Sequence, residues 1–406
     1  MIREHLAECV HCGFCLPTCP TYVLWREEMD SPRGRIHLMD AVLEGSIALN
    51  ATVATHFDRC LGCMACLSSC PSGVRYDRLI EHARATVEAE LERPRGERLL
   101  RGLLFRILPY PQRLRAALRL APLGRLLPAP GRLQALVAAA PRWRSEVDLP
   151  SVTPARGEPI ARVGLLTGCV QRAVFGDVNA ATARVLAAEG YEVVVPAQGC
   201  CGALSVHAGR LEEGKALARA LVEAFEGVDL VVVNASGCGS HLKELGWLLD
   251  DERAASFAST VRDVAELLAE TPPRAPRHPL PLRVALHDPC HLRHAQRLPV
   301  AIRPALERIP GLEVVEPAEQ DLCCGSAGIY NVLQPEAARE LGERKARNVL
   351  STGAQAYAAA NPGCLVQVAN ALRRAGQPLP TFHPLELLDA SIAGVAPHTL
   401  IASARR

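Results

Sequence analysis

Eight of the chain's 16 cysteines fall in two copies of one pattern, Cys9-x2-Cys12-x2-Cys15-x3-Cys19-Pro20 and Cys60-x2-Cys63-x2-Cys66-x3-Cys70-Pro71. Three thiols spaced by two residues can come from one tight loop whose backbone N–H groups point at the sulfurs, with the fourth offset before a proline. Zinc sites pair their cysteines two by two, and disulfide frameworks belong to short secreted chains. This chain has 406 residues, enough for two to four domains with sizeable cores. Its first residues, MIREHLAECVHCGFC, put charges and cysteines where a signal peptide needs an apolar stretch. A reducing compartment is expected, where clustered thiols serve as metal or redox ligands.

The spacing is that of a two-cluster ferredoxin, in which three close thiolates hold one cubane and the cysteine before proline crosses to the other. Cys9, Cys12, Cys15 and Cys70 are therefore expected on one [4Fe–4S] cluster, and Cys60, Cys63, Cys66 and Cys19 on the second. The intervening RGRIHLMDAVLEG reads as helix, so an all-α N-terminal region over 1–95 is expected rather than a small β-hairpin type. Arg33 and Arg35 lie between the motifs. They form either a surface ion pair or a positive offset to a reduced cluster, which would raise its potential.

The other eight cysteines belong to an internal repeat. In the first copy ARVGLLTGC ends at Cys169, YEVVVPAQGCCG carries Cys200 and Cys201, and DLVVVNASGC ends at Cys238. In the second, LRVALHDPC ends at Cys290, LEVVEPAEQDLCCG carries Cys323 and Cys324, and AQAYAAANPGC ends at Cys364. Short β-branched runs alternate with helical stretches, predicting strand–helix–strand–helix–strand in each copy and a mostly parallel sheet covered by helices. The copies are expected over 161–270 and 282–392, joined by the proline-rich TPPRAPRHPLP (271–281). Every cysteine follows a strand, where open α/β sheets place ligands. Gly199, Gly202 and Gly325 border the doublets and permit the turn that brings adjacent thiols together. Four thiols per copy could ligate a further cluster, form a vicinal dithiol for disulfide exchange, or be core cysteines. His287, His291 and His294 have helical spacing around Cys290, as ligands or as polar partners of backbone and carboxylates.

Between these regions, 96–160 reads as a connector. From Arg98 to Arg144 it holds ten arginines and no acid, set among leucines, with Pro109, Pro111, Pro122, Pro128, Pro130 and Pro141 expected to cut it into short helices. Its arginine stems could cover neighbouring domains. Alternatively Arg106, Arg113, Arg115 and Arg119 could rest on an anionic bilayer or a partner. No apolar stretch in the sequence reaches membrane-spanning length. Forty-five basic against 43 acidic residues and 4% aromatics argue against nucleic acid as a partner. GxGxxG after a strand, GxxxxGK[ST], HExxH and GxSxG are all missing, so no flavin or nucleotide site is expected in this chain.

CVHCGFCLPTCPTY, SPRGRI, RCLGCMACLSSCPSGVRY, NAATARVL, GCCGA, ASGCG, HDPC, HAQ, LCCGSAG and NPGC occur in the order that resembles the iron–sulfur subunits of bacterial glycolate oxidase, from about residue 9 to 390. The resemblance implies an α+β multidomain chain: an all-α helical ferredoxin followed by two α/β CCG units. It further implies an electron-transfer subunit of a 2-hydroxy-acid oxidoreductase, with two [4Fe–4S] clusters and the substrate site on a flavin-bearing partner that oxidises glycolate to glyoxylate. Electrons would pass to a quinone-type acceptor from a cytoplasmic position at the inner face of the membrane. Subunits acting with lactate or glycerol-3-phosphate dehydrogenases share the layout. A disulfide reductase using the vicinal cysteines is the alternative from another class. In heterodisulfide reductase relatives each repeat ends in Cys-x-x-Cys; here His241 and Gln367 replace the second cysteine. That removes a fifth thiolate from each copy and leaves ligation by Cys169, Cys200, Cys201 and Cys238, or by Cys290, Cys323, Cys324 and Cys364.

Overall fold

The computed structural model describes residues 2–124, 147 and 149–404. The N-terminal part is helical, as expected. Pro32 opens the Pro32–Leu43 helix, where its missing N–H costs nothing, and the Ser31 side chain caps it by accepting from Gly34 N. Asn50 caps Ala51–Arg59 by accepting from the backbone of Thr52 and Val53. With Tyr76–Glu90 these helices bury Ile36, Met39, Val53, Phe57, Leu79 and Ile80 in one small core.

Among its described residues the connector forms the helices Arg95–Ile107 and Pro111–Gly124, separated at Pro109 and Pro111. Pro122 does not break the second helix: it sits in the last turn, where only one intrahelical bond is lost. Pro128, Pro130 and Pro141 lie outside the described residues. Leu104, Phe105, Leu114 and Leu118 turn inward. Arg101 is buried with them, bridged to Asp58, Glu88 and Glu97, so it is not a surface cation.

Each repeat builds one sheet. The first, ordered β1-β3-β2-β4-β5, comprises Val152–Thr153, Ala161–Leu166, Tyr191–Val194, Leu230–Val233 and Val261–Asp263 as β1 to β5; all pairs are parallel except β1 with β3. The second, ordered β7-β6-β8-β9, comprises Leu282–His287, Leu312–Val315, Ala356–Ala359 and Thr381–Phe382 as β6 to β9, all parallel. The order β3-β2-β4-β5 thus recurs as β7-β6-β8-β9. The central strands read as unbroken apolar runs because both faces are covered. One core crosses the repeats, joining Leu165, Leu186 and Val193 of the first to Val284, Leu306 and Leu388 of the second. The 271–281 linker is stitched to both: Arg274 N and Arg277 bond the buried Glu189, and Ser391 O accepts from His278 N.

Candidate functional site

The two N-terminal cysteine loops interlock. Cys12 is exposed and Cys9 half-buried, and Cys70 lies close enough to Cys9 that a charge on it would push the Cys9 thiol up. Cys60, Cys63 and Cys66 are buried, with Cys19 near both Cys63 and Cys66. Cys70 thus lies near Cys9 of the first loop, and Cys19 lies between the loops, near Cys15 as well as Cys63 and Cys66. Burial raises the Cys63 and Cys66 thiols well above the ordinary range. Cys60 behaves oppositely: burial would raise it, but Arg35 and Arg84 hold it below the ordinary value. Gly62 N (3.3 Å) and the Tyr76 hydroxyl (3.6 Å) donate to its sulfur. Such surroundings favour a thiolate ligand.

Arg33 and Arg35 have separate roles. Arg33 pairs with Glu28 (2.7 Å) and donates to His11 O (3.0 Å) at the first loop. Arg35 is fully buried, donating to His56 O (2.6 Å), Thr21 Oγ1 (3.2 Å) and Asp30 Oδ1 (3.3 Å). Asp30, also fully buried, further receives Arg59 (2.8 Å) and His56 (3.0 Å). The surface-pair expectation fails for Arg35, because this network carries it inside.

In each repeat four sulfurs form a chain through the doublet. Cys169 meets Cys200 at 3.3 Å, Cys200 adjoins Cys201, and Cys201 adjoins Cys238. Cys290 meets Cys323 at 3.9 Å, Cys323 adjoins Cys324, and Cys324 meets Cys364 at 3.5 Å. Cys238 and Cys364 enter from the first turns of Ser236–Lys243 and Pro362–Arg374. The doublets turn on Gly202 (φ 90°) and Gly325 (φ 86°), where a Cβ would strike Gly214 O or come within 2.7 Å of Ala338 O; Gly199 has no positive φ. Two glutamines missed from sequence pin these loops. Gln198 bridges Thr167 N and Leu165 O (2.9 Å each), and Gln320 donates to Leu286 O (2.6 Å).

The histidines near Cys290 tie the repeats to the N-terminal part. His291 donates to Gly62 O (3.1 Å) and meets Ser240 Oγ (2.7 Å); His294 meets Ser68 Oγ (2.7 Å) and Asp321 O (3.2 Å). Burial drives His291 down to about 3. His287 closes β6 and bonds the Tyr357 hydroxyl (2.8 Å). His241 packs at 6.1 Å from the His207 ring, and burial lowers it to about 4. Gln367 donates to Ala338 O at 2.6 Å.

Cys60, Cys63 and all four cysteines of each repeat line one cavity of about 640 Å³. Its opposite wall is the connector: Leu104, Ile107, Leu108, Leu114 and Leu118. Volume and apolar lining are those of a small-molecule or cofactor site. Among the described residues no three His, Cys, Asp or Glu side chains are spaced for a single ion. A cluster needs no such convergence, since its ligands bind different irons. The donor chemistry of the N-terminal sets and the four-sulfur chains of the repeats both fit iron–sulfur ligation.

Comparison with known proteins agrees with this arrangement. Residues 5–74 match the 4Fe-4S dicluster domain, and residues 163–243 and 284–369 each match the cysteine-rich domain called CCG. The chain is 37% identical to the "Probable glycolate oxidase iron-sulfur subunit" of Bacillus subtilis (strain 168), over 93% of this chain and 91% of that one. It is 39% identical to the glycolate oxidase iron–sulfur subunit of Escherichia coli (strain K12), over 91% of each. In fold it is similar to a hypothetical protein from Helicobacter pylori (TM-score 0.55, 9% identity, 98% of this chain and 74% of that one). With both halves of the cysteine pattern matched and the likeness running nearly end to end, the chain belongs to the glycolate oxidase iron–sulfur subunit family.

Proposed function

We propose that this chain carries electrons from a flavin-bearing partner that oxidises glycolate to glyoxylate toward a quinone-type acceptor. The observation that carries this reading is the continuous series of cysteine sets, from the exposed Cys12 through the buried Cys60–Cys66 loop into the cavity shared by both repeats. In it, Cys9, Cys12, Cys15 and Cys70 hold the entry [4Fe–4S] cluster and Cys60, Cys63, Cys66 and Cys19 the next. When bound, the clusters supply one-electron chemistry. The chain's own residues bury the second set, place cations and donors on Cys60, and keep water out with the connector's leucines.

No helix among the described residues is long and apolar enough to cross a membrane. The connector suits a peripheral contact instead, with Leu99 exposed beside Arg98, Arg106, Arg113 and Arg119, whereas the exposed Leu103 and Leu120 line the cysteine cavity. Arg115 points elsewhere, donating to Arg172 O (3.1 Å) of the first repeat. We place the chain on the cytoplasmic face of the membrane.

The test is anaerobic assembly with the flavoprotein partner, adding glycolate and following flavin and iron–sulfur absorbance. Cys12→Ser should leave flavin reduction intact and abolish reduction of the acceptor. Loss of flavin reduction in an assembled variant refutes the reading, as does efficient acceptor reduction without the entry cluster. If lactate or glycerol 3-phosphate, but not glycolate, reduces the complex, the partner's substrate is reassigned.

A further inference from the structure

The two repeats carry the same cysteines in the same places but not the same surroundings. His287 and Leu166 each stand three residues before the strand-end cysteine, and Tyr357 and Val231 each stand seven before the last. Lys345 and Leu221 each stand seven beyond the backbone carbonyl, of Ala338 or Gly214, that packs under the doublet glycine. In the first repeat the three positions, Leu166, Leu221 and Val231, are 1% exposed and aliphatic. In the second they are equally buried and polar: His287 and Lys345 are 1% exposed and Tyr357 is 0%.

A buried ammonium costs several kcal/mol unless anions or acceptors compensate it. Lys345 donates to Glu319 O (2.6 Å), and its helix neighbours Leu341 and Ala346 pack with Cys323 and with Cys324 and Cys364; burial pulls its pKa down, against the attraction of those three sulfurs for its charge. Nothing equivalent stands at Leu221. The same repeat adjoins the second N-terminal set: Leu61, Cys63 and Ala65 pack with Leu322 and Cys323, Cys290 lies within electrostatic reach of Cys63, and His291 bonds Gly62 O.

We propose that Lys345 is a positioning residue that makes the cysteine set of the second repeat the stronger electron acceptor of the two. The proposal rests on the electron-transfer reading above. The step is one electron: the centre held by Cys60, Cys63, Cys66 and Cys19 is oxidised, and the centre held by Cys290, Cys323, Cys324 and Cys364 is reduced. No bond forms and no proton moves. The added negative charge falls beside the buried Lys345 ammonium, and net local charge is one of the main settings of a cluster's potential. The first repeat, lined by aliphatic groups at the same positions, holds its electron less well.

The test is an EPR-monitored redox titration of the anaerobically purified full chain. Cys324→Ser and Cys201→Ser identify the centres of the second and first repeats by their loss. In the unaltered chain the second-repeat centre should have the higher midpoint. Lys345→Met should lower that midpoint by at least about 59 mV, a tenfold change for a one-electron couple, and leave the other centres in place. Leu221→Met, the mirror substitution, should move none. If Lys345→Met fails to fold, the order of midpoints in the unaltered chain decides. The proposal is overturned by an unmoved second-repeat midpoint, by equal shifts at every centre, or by a second-repeat midpoint at or below the first. It is also overturned if Cys324→Ser removes no centre while both N-terminal clusters remain; that result would leave the electron path through the N-terminal sets standing.

Discussion

Arg35→Met tests whether the N-terminal fold and its second cysteine set depend on one buried cation. Methionine fills much of the arginine's volume, so the main losses are the charge and its bonds to His56 O, Thr21 Oγ1 and Asp30 Oδ1. Breaking a buried ion pair from one side costs about 3–5 kcal/mol. Asp30 keeps Arg59 and His56, so the lower end, about 3 kcal/mol, is expected. With a urea slope of about 1–3 kcal/mol per molar, the midpoint should fall by about 1–3 M. Unfolding of this part can be followed apart from the repeats through loss of the EPR signal that Cys63→Ser removes. Arg35 also holds Cys60 toward its thiolate, so the surviving cluster at this set should be reduced at lower potential. A midpoint within about 0.3 M of the parent, or an unchanged potential, would refute the reasoning.

Gly202→Ala should cost roughly 1–3 kcal/mol for its left-handed backbone and more for the collision with Gly214 O, whereas Gly227→Ala, at φ 81° in open space, should cost only the backbone strain; equal thermal shifts for the two would contradict this. His383 is fully buried, accepts from Leu385 N through Nδ1 and bonds Asn234 O through Nε2, and burial lowers it to about 4. The unfolded chain takes up its proton below about pH 6.5 and the folded chain does not, so stability present above that pH is lost as pH falls toward 4, at about 1.4 kcal/mol per unit. His383→Asn keeps a cap but cannot titrate; its stability deficit should shrink by about 3 kcal/mol between pH 6.5 and 4, and a deficit constant with pH would count against the assignment. Replacing Arg98, Arg106, Arg113 and Arg119 by Gln should release the chain from anionic vesicles at low salt with its iron retained; unchanged binding would move the membrane contact elsewhere.

The parts legible in the sequence were those whose signal is local. Cysteine spacing foretold the dicluster region matched over residues 5–74, and β-branched runs ahead of Cys169 and Cys290 foretold parallel strands. β5 and β9 were not foreseen because three or two residues are too few to show a period. Arg35 could not be told from Arg33 until the fold buried one fully and left the other half-buried. The connector showed arginine and leucine in plain view, but only tertiary packing reveals that Leu104, Leu114 and Leu118 wall the cysteine cavity. Gln198 and Gln320 carried a usable signal, a glutamine shortly before each doublet, which cysteine-centred reading passed over. Lys345 against Leu221 needed the two repeats aligned through the glycine contacts, since their loops differ in length.

The most direct test of the central claim is iron and acid-labile sulfide analysis, with EPR, on the full chain purified without oxygen. The account predicts two reducible [4Fe–4S] clusters, about eight irons, with further iron at the repeats bringing the total to about twelve or more. Loss of one N-terminal cluster in Cys63→Ser should remove about four irons. A colourless chain holding zinc, or one whose iron is unaffected by Cys12→Ser and Cys63→Ser, would contradict it.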